Sequence, residues 1–148
     1  MSQGHYRALN ILLLIGATTI LVVARSFDPD PNGVGTHLQL GLQPCIFLAS
    51  WGIPCPACGW TTSFALMADG RVIAAFINQP FGVIMTLITI TLVIISACEA
   101  IKPRERWLML HGCFRGKEVK VLAAFFVVMV AAWAYKIVLN VIFLSATP

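Results

Sequence analysis

Residues 81–101 form the apolar stretch FGVIMTLITITLVIISACEAI, in which Glu99 is the only charged residue. A helix needs about 20 mostly apolar residues to cross a lipid bilayer, and this stretch has that length. Two more stretches, 8–24 and 121–144, are also long and apolar enough to cross. The sequence therefore predicts an all-α, polytopic membrane protein with three transmembrane helices.

The composition agrees with a membrane location. Hydrophobic residues make up 59% of the 148-residue chain and charged residues 11%, whereas a soluble domain has about 25% charged residues. A disordered chain, a soluble α/β enzyme and a nucleic-acid-binding protein are therefore all disfavoured. The length fits a single membrane domain, 1–148, surrounded by the lipid bilayer.

The first apolar stretch, 8–24, has a second interpretation. It is short and follows a polar start that contains Arg7, as the apolar part of a secretory signal peptide does. We expect the stretch to be retained as the first membrane span.

The lysine and arginine residues indicate the orientation of the three spans. Six of them lie in the loop 102–120, whereas the much longer connection 25–80 holds only Arg25 and Arg71. Loops rich in these residues stay in the cytoplasm. We therefore expect a cytoplasmic N-terminus, with 25–80 and the C-terminus on the outer side, and we interpret the basic loop as a topology signal rather than a nucleic-acid site.

Short helices are predicted within the outer segment, 25–80. Pro56 suits the first turn of a helix and Gly70 suits its end, so a helix is predicted over 56–68. This helix is too short to cross the bilayer, and we expect it to lie at the interface or to re-enter the membrane against the other helices. A second short helical segment, 71–78, leads into the second span.

Three of the five cysteines lie in the outer segment, and two of them, Cys55 and Cys58, form a C-P-A-C motif. At the start of a helix, free N–H groups and the helix dipole favour the thiolate, which binds metals and acts as a nucleophile. The third cysteine is Cys45, and His37 lies eight residues before it. Three thiolates and one imidazole would complete a tetrahedral zinc site, with His37, Cys45, Cys55 and Cys58 as the ligands.

The same cysteines allow three other interpretations. A disulfide, between Cys55 and Cys58 or between Cys45 and one of that pair, suits an oxidising compartment but leaves one thiol over. A thiol–disulfide exchange site would use Cys55 as nucleophile, Cys58 as resolving thiol and Cys45 as a relay. In the last interpretation, all three are small buried side chains without a chemical role.

Residues 33–42 and 52–64, GVGTHLQLGL and GIPCPACGWTTSF, resemble a family of small bacterial inner-membrane proteins that is known only as a domain of unknown function. The signature of that family is P-C-P-x-C-G-x-T-T-S, and the likeness extends over about residues 28–100. The resemblance implies a bacterial inner-membrane location and an importance for the cysteine segment. It implies no established activity.

Lys136 is the only basic residue inside a predicted span, and Asn140 lies one helical turn further along. A charge inside the membrane is costly, and the long side chain of lysine can carry its ammonium to the outer interface. If the span lies deeper, Lys136 and Asn140 form a polar stripe that contacts a partner helix. At the other side of the membrane, we expect Glu99 to reach the interface beside Lys102.

No residue pattern in the sequence indicates acid–base or nucleophilic catalysis on a substrate. We therefore expect a non-catalytic accessory subunit or scaffold of a larger membrane assembly, whose outer site binds a structural metal or holds a disulfide. Other subunits or a second copy of the chain are the expected partners, in contact with Lys136 and Asn140. The alternatives are a membrane thiol–disulfide oxidoreductase that uses Cys55 and Cys58, and a carrier of a metal or cofactor.

Overall fold

The computed structural model describes residues 3–102 and 106–146, and these are helical apart from turns and short extended segments. Three of the helices are long and apolar enough to cross a membrane. In chain order the helices are α1 (Gln3–Arg25), a 3-10 helix (Thr36–Leu40), α2 (Ile46–Trp51), α3 (Trp60–Ala68), α4 (Val72–Asn78), α5 (Pro80–Ile101), α6 (Arg106–Phe114) and α7 (Glu118–Ala146).

The long helices α1, α5 and α7 confirm the predicted all-α membrane fold, and each begins before its predicted span. α5 begins at Pro80, since proline is tolerated in the first turn, where its missing N–H breaks no helical hydrogen bond. α1 begins at Gln3 and α7 at Glu118. The apolar pattern marks only the part of a helix that crosses the hydrocarbon, so polar first turns lie outside the predicted spans.

Glu99 lies at one end of the molecule, which is formed by residues 3–10, 99–102 and 106–120 and which we call the basic end. Its side chain is fully buried, and its carboxylate accepts hydrogen bonds from the Tyr6 hydroxyl at 2.9 Å and the Arg106 guanidinium at 2.7 Å. Tyr6 lies near the start of α1 and Glu99 near the end of α5, so these helices are antiparallel. The expectation that Glu99 reaches the interface is wrong, because these donors hold the carboxylate inside the protein.

The predicted basic loop 102–120 contains a helix, α6. Its first residue, Arg106, donates its backbone N–H to the Glu99 carboxylate at 3.1 Å. The indole of Trp107 donates to the side-chain oxygen of Asn10 in α1 at 2.8 Å. The loop is therefore attached to both α1 and α5, and Arg104, one of its predicted topology charges, lies outside the described residues.

The opposite end of the molecule, residues 26–79, is a layer of short helices on α5, and we call it the cysteine end. Leu66, Ala75 and Val83 form a buried apolar cluster between α3, α4 and α5. Gly82 allows α3 and α5 to approach closely, because a Cβ added there would lie 2.7 Å from the Cβ of Ser63. This packing holds the start of α3 in place, and with it the cysteines that precede α3.

Candidate metal centre

The two cysteines of the C-P-A-C motif lie in a turn that precedes α3. The backbone N–H of Cys58 donates to the carbonyl of Cys55 at 3.0 Å and closes this turn. α3 begins only at Trp60, because Gly59 has a φ of 90°, a left-handed conformation that interrupts a helix and favours glycine. The helix predicted over 56–68 is therefore too long at its start, and the motif does not occupy a first helical turn.

Cys45 reaches the same place from the start of α2. It is the residue that caps the N-terminus of this six-residue helix. Gly52, with a φ of 66°, ends α2 and donates its N–H to the carbonyl of Leu48 at 3.1 Å. The chain turns after this glycine, so Cys55 and Cys58 come back to Cys45.

The three sulfur atoms converge. The Sγ atoms of Cys45, Cys55 and Cys58 all lie within 4.8 Å of one another, and those of Cys55 and Cys58 are 3.2 Å apart. Thiolates bound to one tetrahedral zinc ion by bonds of about 2.3 Å lie about 3.8 Å apart. One pair of sulfurs is closer than that value and no pair exceeds 4.8 Å, so small side-chain movements suffice to place all three sulfurs around one ion.

Two thiols of the cluster, those of Cys45 and Cys58, have shifted pKa values, and the thiol of Cys45 is the more acidic. Its partial burial acts to raise the pKa, but hydrogen bonds to the sulfur from the Leu48 backbone and from the cysteine neighbours outweigh burial. The balance lowers the pKa of Cys45 from 9.0 to about 7. A fraction of Cys45 is therefore thiolate at neutral pH, stabilised by the donors around it.

The pKa of the Cys58 thiol is shifted in the opposite direction. Cys58 is 6% exposed, and burial, followed by the hydrogen bonds to Cys55 and Cys45, raises its pKa well above the ordinary value. Without a metal ion, the surroundings therefore favour the thiolate at Cys45 and the protonated thiol at Cys58. A bound cation reverses this preference, because it stabilises every thiolate that coordinates it.

The structure does not bring His37 into the cluster. Among the described residues, the donor atoms that lie within 4.8 Å of one another are the three sulfurs alone. The 3-10 helix that carries His37 is held by Thr36, whose buried hydroxyl lies 2.9 Å from that of Thr62 in α3. His37 instead lines the wall of a cavity of about 490 Å³ that also borders the three cysteines. His37 thus lines the cavity beside the sulfur cluster, and its role as the fourth zinc ligand stays a prediction.

Lys136 lies inside the cysteine end. It is 5% exposed, and its ammonium donates to the side-chain oxygen of Asn78 at 2.8 Å, to the Asn78 carbonyl at 3.2 Å and to the Gly33 carbonyl at 3.1 Å. A Cβ on Gly59, the neighbour of Cys58, would lie 3.3 Å from Cε of Lys136. Three acceptors of the same chain therefore surround the ammonium, and a contact of Lys136 with a partner helix stays a prediction.

Two other residues of α7 donate to the part of the cysteine end between α2 and the C-P-A-C turn. The indole of Trp133 donates to the carbonyl of Pro54 at 2.8 Å, and the amide of Asn140 donates to the carbonyl of Gly52 at 3.1 Å. Both acceptors lie between α2 and the C-P-A-C turn. α7 therefore supports this turn, and a contact of the partly exposed Asn140 with a partner subunit stays a prediction.

Asn78 is the residue of this site that the sequence analysis missed. Its amide donates to the carbonyl of Gly59 and to the hydroxyl of Ser63, both at 3.0 Å, while its oxygen accepts from Lys136. Asn78 thus connects α7 to the residue that follows Cys58. The one sequence signal was its position before Gln79 and Pro80, which marks the end of a helix but reveals no partner.

One comparison with known proteins finds a match in the part of the chain that contains the three clustered cysteines. Residues 45–93 match the model of a family described as "Protein of unknown function (DUF2752)". The match covers about a third of the chain, from Cys45 through α3 and α4 into α5, and so includes all three clustered cysteines. No curated protein and no solved structure matches the chain.

Proposed function

We propose that this chain is an integral membrane protein that binds a thiophilic metal ion, such as zinc, through Cys45, Cys55 and Cys58. We further propose that it serves as a non-catalytic accessory subunit or scaffold of a membrane assembly. The observation that carries the metal site is the convergence of three sulfurs within 4.8 Å, from positions ten and three residues apart in the chain. Thiolate ligands favour soft and borderline ions, among them zinc.

The position of Lys136 supports the metal site electrostatically. A divalent ion held by three thiolates leaves about one net negative charge in a partly buried place, and a buried charge needs a counter-charge. The buried side chain of Lys136 passes close to Gly59, directly after Cys58, where an added Cβ would lie 3.3 Å from its Cε. Its hydrogen-bond acceptors, in Gly33 and Asn78, are neutral, so its charge is available to balance that of the loaded site.

The exposed surface of α7 supports the accessory role. Within the chain, 11% of the apolar window of α7 is buried, compared with 33% for α5. In a membrane such a surface faces lipid or the helices of another subunit. α7 is therefore the span that we propose to contact a partner.

We also propose that the cysteine end lies on the outer side of a bacterial inner membrane. The opposite end carries the cluster of lysine and arginine residues in 102–120. Such clusters are retained in the cytoplasm. Because α1 and α5 are antiparallel, α1 would carry the chain to the outer side and α5 would return it to the cytoplasm.

The metal content of the full-length protein, purified in detergent after growth with zinc, tests the metal site. We expect about one zinc ion per chain in the wild type and a loss of most of it in Cys45→Ser and in Cys58→Ser. Cys98→Ser is the matched control, because Cys98 is an exposed residue of α5 outside the cluster. A wild type without zinc, or zinc retained in both cluster variants, contradicts the proposal.

Thiol–disulfide exchange is the second candidate, favoured by the 3.2 Å between the sulfurs of Cys55 and Cys58. Their two thiols would reduce a disulfide of a partner, passing it two electrons and two protons and forming their own disulfide. In this candidate Cys55 attacks and Cys58 resolves, and Cys45, the thiol with the lowered pKa, would serve as the relay that attacks their disulfide.

Counting reactive thiols before and after addition of a chelator separates the two candidates. A metal site predicts that the cluster thiols become reactive only after the metal is removed. An exchange site predicts that the chelator changes nothing, and that oxidised glutathione removes two reactive thiols, which a dithiol reductant restores.

A further inference from the structure

The cavity beside the cysteine cluster is larger than a metal site requires. It measures about 490 Å³ and is bordered by all three cysteines. A buried water needs only about 10–15 Å³ of such volume, whereas pockets for small molecules measure about 300–1,000 Å³. The space next to the sulfurs is therefore of ligand size.

The described residues supply three donor atoms to the cluster, and not four. Structural zinc sites are closed by four protein ligands, whereas sites with three protein ligands keep an exchangeable position. His37 and Asp30 line the cavity, but among the described residues the clustered donor atoms belong to cysteines only. An ion bound by the three sulfurs would thus present its remaining position to the cavity.

We propose that the metal centre is open and that its fourth position binds the sulfur of a small thiol compound from this cavity. The inference rests on the proposed metal site. On binding, the thiol loses its proton to solvent and its sulfur forms a bond to the ion, while a water ligand leaves, and no electron changes hands.

Asp30 gives the cavity a preference for the charge of this compound. Asp30 borders the cavity with the cysteines, and one of its carboxylate oxygens accepts the N–H of Asn32 at 2.8 Å. The ammonium of Lys136 lies instead against Gly33 and Asn78. A thiol with a cationic end therefore binds more tightly than a neutral one, by about fivefold for a single charge pair about 4 Å apart near water, and a thiol with an anionic end binds less tightly than a neutral one by a similar factor.

Absorption spectroscopy of the full-length protein loaded with cobalt(II) in detergent tests this inference. Three probes of similar size differ in charge: cysteamine is cationic, 2-mercaptoethanol is neutral and thioglycolate is anionic. We expect each to increase the sulfur-to-cobalt absorption saturably, by about a third, as three sulfur ligands become four. The expected order of affinity is cysteamine, 2-mercaptoethanol, thioglycolate, and gel filtration must show that cobalt stays on the protein.

Two variants make the test specific. Asp30→Asn should bind cysteamine and thioglycolate with nearly equal affinity, because the amide oxygen can still accept the Asn32 N–H while the charge is removed. His37→Ala should bind cobalt and thiol as the wild type does, whereas loss of cobalt from His37→Ala would identify His37 as the fourth ligand and overturn the inference.

The outcomes also separate this inference from the proposed function. A wild type that shows no sulfur-to-cobalt absorption contradicts the metal site, and the inference fails with it. A wild type that binds cobalt, but whose spectrum ignores all three thiols or changes only as cobalt is stripped, contradicts the open position and leaves the metal site intact.

Discussion

At the scale of single residues, Cys45 gives the cluster its dependence on pH. The folded state holds the pKa of Cys45 at about 7, below the ordinary 9.0. The hydrogen-bonded thiolate therefore stabilises the folded state, and this stabilisation is fully present above pH 9.0. It is lost as the pH falls through about 7. The test uses the reduced, metal-free protein in which the two cysteines outside the cluster are removed by Cys98→Ser and Cys113→Ser. In this protein we expect one thiol to react with iodoacetamide at half its maximal rate near pH 7. Adding Cys45→Ser should remove that reaction, and a first half-maximum near pH 9 in the parent would contradict the assignment.

Gly59 is the second residue with an effect of its own. Its φ is 90°, and a Cβ there would lie 2.8 Å from the carbonyl oxygen of Gly33. We expect Gly59→Ala to destabilise the protein by about 1–3 kcal/mol and to reduce its zinc content, because the residue next to Cys58 must move. Gly41→Ala is the matched control, since Gly41 has a φ of 73° but open space around its Cβ. Equal losses of Tm in the two variants would show that the contact with Gly33 has no effect.

At the scale of elements, the docking of α7 on the cysteine end depends on Lys136. Lys136→Met leaves three partly buried acceptors, in Gly33 and Asn78, without their donor, and such a group costs up to about 1–3 kcal/mol when water cannot replace the donor. We expect a lower Tm in detergent and faster proteolysis within residues 26–79. Lys120→Met is the control, because Lys120 is exposed on the same helix. If both variants lose the same stability, the hydrogen bonds of Lys136 do not hold α7 in place.

At the scale of the whole molecule, the antiparallel α1 and α5 separate the basic end from the cysteine end. We expect a membrane-impermeant maleimide, applied to intact spheroplasts, to label a protein that keeps Cys45 as its only cysteine. A cysteine-free protein with Lys117→Cys, at the basic end, should be labelled only after the membrane is permeabilised. The reverse pattern would place the cysteine end in the cytoplasm.

The sequence pattern predicted some helices better than others. The spans were predictable because their signal is local: about 20 apolar residues suffice to define each one. α6 was missed because a short helix in a basic segment has no long apolar stretch, and its position depends on Arg106 and Trp107 contacting Glu99 and Asn10. The start of α3 was misplaced because Pro56 permits a helix, while Gly59 and its close contact with Gly33 interrupt it.

By itself, the amino-acid sequence determined that this is a helical membrane protein with three spans, since the cost of leaving polar backbone groups in lipid makes long apolar segments helical wherever they lie. It also indicated Cys45, Cys55 and Cys58 as one group. Only the tertiary structure decided that His37 lies outside the sulfur cluster and that Lys136 bonds to Asn78, 58 residues away. Such contacts join distant parts of the chain, and their geometry follows from how the short helices pack on α5 rather than from any local spacing.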